Sequence, residues 1–361
     1  MNSTQYKHLF AFHPGYYVNQ LIEDMEITQE AFALRMGTSA KTISLLVRGE
    51  TDLSEDMALR LSNMFGMSVE VWLNLQKEYC KKVLEIENEK DLDQQREIAA
   101  LIDYSFFTKL NLLPQTTNIL ERIQNLCSFF RVSNLKALRE PDLLANFRAG
   151  VKTFEEKNII NANAWLQTAV NIGRTLECGE FNEQKLKAYI PEIRSMTLQQ
   201  PDTFYPRLVE IFKECGVCFV VLPQLKNCGI NGAVKWINKQ KVILAINDRM
   251  HYADTFWFSL FHEIKHVLQK KITKTIVSGK YESDIDTVLE EDANTFSRNT
   301  LIPPTEFATF ISFNRITTAS IVSFARSINI HPGIVVGRLI NEKIIQPSYY
   351  HDLREKYQIC G

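Results

Sequence analysis

The segment Phe256-Trp-Phe-Ser-Leu-Phe-His262-Glu-Ile-Lys-His266-Val-Leu constrains this chain more than any other. Its apolar residues are spaced for a helix buried around most of its circumference, and such a helix must find partners for the polar groups it carries inside. At about 100° per residue, two histidines four positions apart differ in direction by roughly 40°, so both imidazoles reach one point beside the helix. Glu263 lies next to that point. Two imidazoles with an adjacent carboxylate suit a divalent ion and a base, and zinc is the ion the pattern predicts. Zinc would bring the pKa of a water from about 15.7 toward neutrality and polarise a scissile carbonyl, while Glu263 takes the proton. Two histidines that merely share a helix face are the plainer alternative.

A tetrahedral catalytic site needs a third protein ligand and an open position. The segment Leu289-Glu-Glu-Asp-Ala-Asn-Thr-Phe-Ser297 offers Glu290 as the preferred ligand, with Glu291 and Asp292 as competitors. Asn294, four residues after Glu290, is placed to hydrogen-bond a ligand histidine. A solvated acidic turn would read the same way from spacing alone. The Phe-His-Glu-x-x-His helix, the later Glu-x-x-Ala-Asn-x-Phe and the Leu-Ile-Pro after it resemble the ImmA/IrrE (DUF955) family of zinc peptidases over roughly residues 195–340. The resemblance implies a small gluzincin-like site with His262, His266 and Glu290 as ligands, Glu263 as base and a protein as substrate. Two residues depart from the family pattern. Lys265 stands where a small or uncharged residue is usual, and Ser297 stands in place of Ala. Within Ile330-His331-Pro-Gly-Ile-Val-Val-Gly-Arg338-Leu, His331 and Arg338 are candidates to stabilise a developing oxyanion. A turn role for His331 and an ion-pair role for Arg338 fit the sequence equally.

The other end of the chain carries a second signal. Thr28 is an N-cap residue with Glu30 in the following turn, and Gly37 ends the helix it starts. Ser39 caps a second short helix, Ala40 to Val47, which Gly49 ends. Helix, glycine turn and helix place the second helix in a DNA major groove. Ser39, Ala40, Lys41, Thr42 and Leu45 would then face base edges, Gln29 and Arg48 the phosphates, with Ile43 and Leu46 turned inward. The run from His13-Pro14-Gly15 through Arg48-Gly49-Glu50 resembles the XRE/Cro-type reader. Its continuation, Leu53-Ser-Glu-Asp-Met-Ala58 and Val71-Trp-Leu-Asn-Leu-Gln76, resembles the HigA antitoxin variant. The first 80 residues hold six Lys/Arg against ten Asp/Glu, so non-specific attraction to phosphate is weak. Between Ala31 and Gly49 the charges are Arg35, Lys41 and Arg48, which makes the reading face locally basic.

At 361 residues the chain exceeds one ordinary core. The expected architecture is mainly α with a small β-sheet (α+β): an all-α helix-turn-helix domain at 13–80, a helical connector and middle region at 81–195, and a gluzincin-like metallopeptidase domain at 196–361. Strand signals first appear after Gly216, at Val217–Leu222, Ala233–Ile237 and Val242–Ile246. A loop is expected over 270–286 and helices to about 345. Seven scattered cysteines predict no disulfide framework, and Cys215 and Cys218 read as core thiols rather than a metal knuckle. The segment MNSTQYKHLFAFHP has no signal-peptide h-region, and no run reaches the roughly 18 apolar residues of a membrane helix. A cytoplasmic location with no membrane partner is therefore expected.

Together these features predict a transcriptional regulator that binds double-stranded DNA at its own promoter or operator as a homodimer. Its zinc-dependent, site-specific endopeptidase region would act on a repressor, a toxin or the chain itself. An extended substrate would pair with an exposed strand within 216–246. The alternative is a non-catalytic HigA-like antitoxin or repressor whose C-terminal region binds a partner or a metal without proteolysis.

Overall fold

The computed structural model describes residues 3–140, 155–248, 252–271, 275–279, 287–312, 316–357 and 359. The chain divides into two compact units, Met1–Glu97 and Ile98–Gly361. It is mainly helical with two small sheets. No helix among the described residues is long and apolar enough to cross a membrane.

In the first unit a hairpin, β1 (Ser3–Tyr6) and β2 (Leu9–Phe12), precedes five helices, α1 (Pro14–Asp24), α2 (Gln29–Arg35), α3 (Ala40–Arg48), α4 (Glu55–Phe65) and α5 (Val69–Leu101). The hairpin corrects the expectation that strands begin only after Gly216. Half of its strand residues are exposed, and neither Ser3-Thr-Gln-Tyr6 nor Leu9-Phe-Ala-Phe12 alternates apolar with polar residues in sequence. Long-range contacts hold it instead: Tyr6 Oη donates to Asp93 at 2.6 Å, and Lys7 Nζ bonds Glu89 and Asp93 at 2.9 Å. The helices close over Val18, Phe32, Ile43, Leu61 and Trp72, all fully buried.

The second unit opens with α6 (Tyr104–Lys109), α7 (Ile119–Phe130), α8 (Glu156–Thr175), α9 (Glu183–Ser195) and α10 (Pro201–Glu214). Strands β3 (Val217–Leu222), β4 (Ile230–Trp236) and β5 (Val242–Asn247) follow, then α11 (Ala253–Gln269), β6 (Ile276–Gly279), α12 (Thr287–Leu301), α13 (Pro304–Ser312), α14 (Thr318–Ser327) and α15 (Pro332–Asn341). The strand order is β3-β5-β4-β6, parallel between β3 and β5 and antiparallel elsewhere. β6 lies inside the segment read as a loop, most of whose remaining residues are outside the described ones. β4 and β5 are paired on both sides, so within 216–246 only β3 is paired on a single side among the described residues.

Strand alternation sorts the sheet into two faces. Val242, Leu244 and Ile246 join the core with α10 and α11, as do Val234 and Trp236. Ile243 and Ala245, with Ala233 and Lys235, face Leu166, Ala169 and Val170 of α8. The sheet is thus covered on both sides, which explains why all of β5 is buried. The polar residues of α8 reach out to backbone carbonyls. Asn161 donates to Leu101 O at 3.0 Å, Asn163 to Leu138 O at 3.1 Å, and the Trp165 indole to Pro223 O at 3.2 Å. These bonds give the otherwise motif-free middle region a role as one layer of the second unit.

Cys178 and Cys218 are joined as a disulfide across 40 residues, a correction to the cysteine reading. Cys218 sits on the α8 side of β3, and its partner arrives from the segment after α8. Cys215 is a buried thiol, as expected for a core residue, and Cys228 is also buried outside the disulfide.

Gly216, which leads into β3, has φ +75°, and a Cβ there would lie 2.3 Å from the Glu180 carbonyl carbon. Gly216→Ala should lower the unfolding free energy of the second unit by about 2–4 kcal/mol, from left-handed strain plus overpacking. Gly179→Ala, with nothing within 4 Å of its Cβ, should change it by no more than about 0.5 kcal/mol. Urea unfolding of the two variants checks the pair, and equal effects would contradict the packing at Gly216.

Candidate metal centre and helix-turn-helix face

Helix α11 carries Phe256, Trp257, Leu260, Phe261, Ile264 and Val267 into the core, and His262, Glu263 and His266 are buried among them. The neighbouring α12 brings Glu290 to the same place. Glu290 Oε2 lies 3.3 Å from His262 Nε2, its Oε1 lies 3.2 Å from His266 Nε2, and the two Nε2 atoms are 2.9 Å apart. The structure therefore selects Glu290 from the three acidic candidates. Glu291 is paired instead with Arg298, and Asp292 with Lys265 and Gln269.

Hydrogen bonding fixes the state of one imidazole. Gln269 Nε2 donates to Leu289 O and Asp292 Oδ2, each at 3.0 Å, so its Oε1 must be an acceptor. His266 Nδ1, 2.8 Å away, donates to it. In the neutral ring this leaves a lone pair on Nε2, directed at His262 and Glu290. Burial alone would raise the Glu290 carboxyl, but the bonds to His262 and His266 outweigh it and hold it down at about 2. Burial likewise opposes protonation of His266, yet its bond to Glu290 and the charges of Glu263 and Glu290 raise it. Three donors 2.9 to 3.3 Å apart fit ligands about 2.0–2.2 Å from one tetrahedral centre. The residues present thus suit a divalent metal.

Glu263 is fully buried, and its place is set by β4. A Cβ on Gly232 would lie 2.5 Å from Glu263 Oε1 and 2.7 Å from its Cδ, so the strand approaches the carboxylate through the missing side chain. The departures in the motif are also accommodated. Lys265 reaches Asp292 at 3.1 Å and covers the Phe296 ring, while the Ser297 hydroxyl donates to Phe258 O at 2.7 Å.

The remaining sequence candidates lie elsewhere. Asn294 is half-buried and makes no hydrogen bond to either imidazole; Gln269 fills that place, and its i,i+3 spacing from His266 was the available signal. His331 caps α15, its Nδ1 accepting from Gly333 N at 3.1 Å, and its Nε2 lies 3.6 Å from Glu355. His13 caps α1 in the same way, accepting from Gly15 N at 3.0 Å. Arg338 pairs with Glu342 and stacks on Phe307.

At the helix-turn-helix, Thr28 Oγ1 accepts from Ala31 N at 3.2 Å and Ser39 Oγ from Thr42 N at 3.1 Å. Gly37 and Gly49 take φ +64° and +72°, the left-handed values that their turns require. Arg60 Nη1 bonds Met36 O and Gly37 O at 3.1 and 2.9 Å, which ties α4 to the turn and was missed in the sequence. Ile43 and Leu46 are buried, whereas Ser39, Lys41 and Arg48 are exposed and Gln29, Ala40, Thr42 and Leu45 half-buried. Arg48 is paired with Glu50 at 3.1 Å.

Gly232→Ala should displace the Glu263 side chain and destabilise the second unit by about 1–3 kcal/mol. A crystal structure of the variant with Glu263 unmoved would contradict the packing described.

The HTH_3 helix-turn-helix family model matches residues 18–72. An uncharacterized HTH-type transcriptional regulator of Escherichia coli (strain K12) is 33% identical over 63 residues, 18% of this chain and 67% of its own. Virulence-associated protein I of Dichelobacter nodosus is 33% identical over 76 residues, 21% of this chain and 70% of its own. Antitoxin HigA of Pseudomonas aeruginosa, solved with the higBA promoter, is 32% identical, with 23% of this chain and 91% of that one covered at a TM-score of 0.22. Through its N-terminal unit, the chain belongs to the HTH_3 helix-turn-helix family.

Proposed function

We propose that this chain is an operator-binding transcriptional regulator whose second unit is a zinc-dependent endopeptidase acting on a protein partner. The observation that carries the enzymatic half is the convergence of His262, His266 and Glu290 beside the buried Glu263. When bound, zinc supplies acidified water and a polarised carbonyl. The chain's own residues do the rest. His262, His266 and Glu290 hold the ion, Gln269 orients His266, and Glu263 accepts the proton of the attacking water and passes it to the leaving amine. Close packing of its carboxylate against Gly232 supports a fixed position for Glu263 in that role. An extended substrate would pair with a strand that has one neighbour among the described residues, which is β3 within the expected 216–246 and β6, beside Gly232, outside it, whereas β4 and β5 are paired on both sides.

For the DNA half, support comes from the capped helix pair and the family match over residues 18–72. Ser39, Lys41 and Thr42 lie at the start of α3, with Ile43, Leu46 and Val47 turned inward. In a homodimer the two copies of α3 would read two half-sites of a promoter.

Two experiments test the two halves separately. Profiling of protein N-termini in cells expressing wild type or Glu263→Gln should reveal cleavage products present only with wild type. Identical profiles across the candidate toxin, repressor and the chain itself would remove the peptidase and leave a non-catalytic regulator. In footprinting on the chain's own promoter, Lys41→Ala with Thr42→Ala should cut the ratio of specific to non-specific affinity by tenfold or more, from about 1–3 kcal/mol per lost base contact. An unchanged footprint would overturn the assignment of α3.

A further inference from the structure

Between α11, α12 and α15 lies a cavity of about 260 Å³ lined by both charged and apolar side chains. Its lining includes Arg298, Arg338 and Arg354 with Asp254, and the apolar side chains of Phe258, Leu301, Ile302 and Ile334. Asp254 and Arg354 satisfy each other through two bonds of 3.2 and 2.9 Å. The other two guanidiniums are less well matched. Arg298 bonds Glu291 and Thr295 through Nη2. Arg338 uses Nε for Glu342, while its Nη1 is shielded from solvent and has no hydrogen-bond partner. Burial lowers the Arg338 pKa against the opposing charge and hydrogen bond of Glu342, with a smaller lowering from the charge of Arg298. Each of these two guanidiniums is paired with one carboxylate, and the buried Nη1 donor of Arg338, unpartnered among the described residues, would be stabilised by a further acceptor such as a carboxylate in the cavity.

We propose that this cavity is a binding site for a small aliphatic carboxylate, its head held by Arg338 and Arg298 and its hydrocarbon body lying on Phe258, Leu301, Ile302 and Ile334. Size and charge narrow the ligand. The space, about 260 Å³, suits a small ligand. The lining residues include three arginines and one carboxylate, Asp254, which is paired with Arg354, so a simple acid fits better than an amino acid, whose ammonium the guanidiniums would repel. A monocarboxylate is planar and pairs with guanidinium through two parallel bonds, and the apolar wall adds affinity that inorganic phosphate cannot gain.

The site adjoins the metal-binding residues through two side chains. Phe258 lines the cavity, and its ring centroid is 6.2 Å from that of His262. Arg298 pairs with Glu291, the residue after Glu290. A carboxylate that draws on Arg298 competes with Glu291 and so acts on the turn of α12 that carries Glu290. The binding site itself does not rest on the peptidase reading.

Calorimetric titration of the full chain with hexanoate, hexan-1-ol and inorganic phosphate provides the test. Hexanoate should bind at least tenfold tighter than either of the others. Arg338→Gln should weaken it at least tenfold. Ile340→Trp, which narrows the cavity from a partly exposed position and spares every guanidinium, should do the same and serves if Arg338→Gln does not fold. Absence of hexanoate binding, equal binding of phosphate or hexan-1-ol, or unchanged affinity in a folded variant would overturn the proposal.

Discussion

The second unit depends on how an apolar helix accommodates three polar side chains. His262, Glu263 and His266 are buried on α11, where unpaired polar groups cost several kcal/mol. The fold answers by packing α12 alongside, so that one carboxylate spans both imidazoles. Everything around this contact serves it. Gln269 fixes one ring, Lys265 and Asp292 pin the two helices together on their outer side, and Ser297 ties α12 back to the Phe258 carbonyl. The sheet beneath contributes the space for Glu263 at Gly232.

Local signals were legible because local geometry makes them. The i,i+4 histidines share a face on any helix, and the caps at Thr28 and Ser39 with glycines at 37 and 49 define the helix pair without tertiary help. Strand β3 was read to the residue, and β4 and β5 to within a few, because a fully covered sheet shows as continuous apolar runs. Glu290 was harder, since its two acidic neighbours are equal in composition. Only the packing of α12 on α11 separates them.

What the sequence concealed depends on contacts between distant residues. The β1–β2 hairpin is anchored more than 80 residues away, at Glu89 and Asp93. Asp254 and Arg354 meet across 100 residues, as do Trp257 and Tyr357. No periodicity announces such pairs. His331, for which the sequence left an oxyanion role and a turn role open, caps a helix through Nδ1, as His13 does.

The account rests on one ion held by His262, His266 and Glu290, and anomalous scattering tests it most directly. A crystal of the full chain grown with zinc, measured on either side of the zinc absorption edge, should show a peak about 2.0–2.2 Å from both Nε2 atoms and a Glu290 oxygen. A crystal with the three side chains in place and no anomalous peak among them would contradict it.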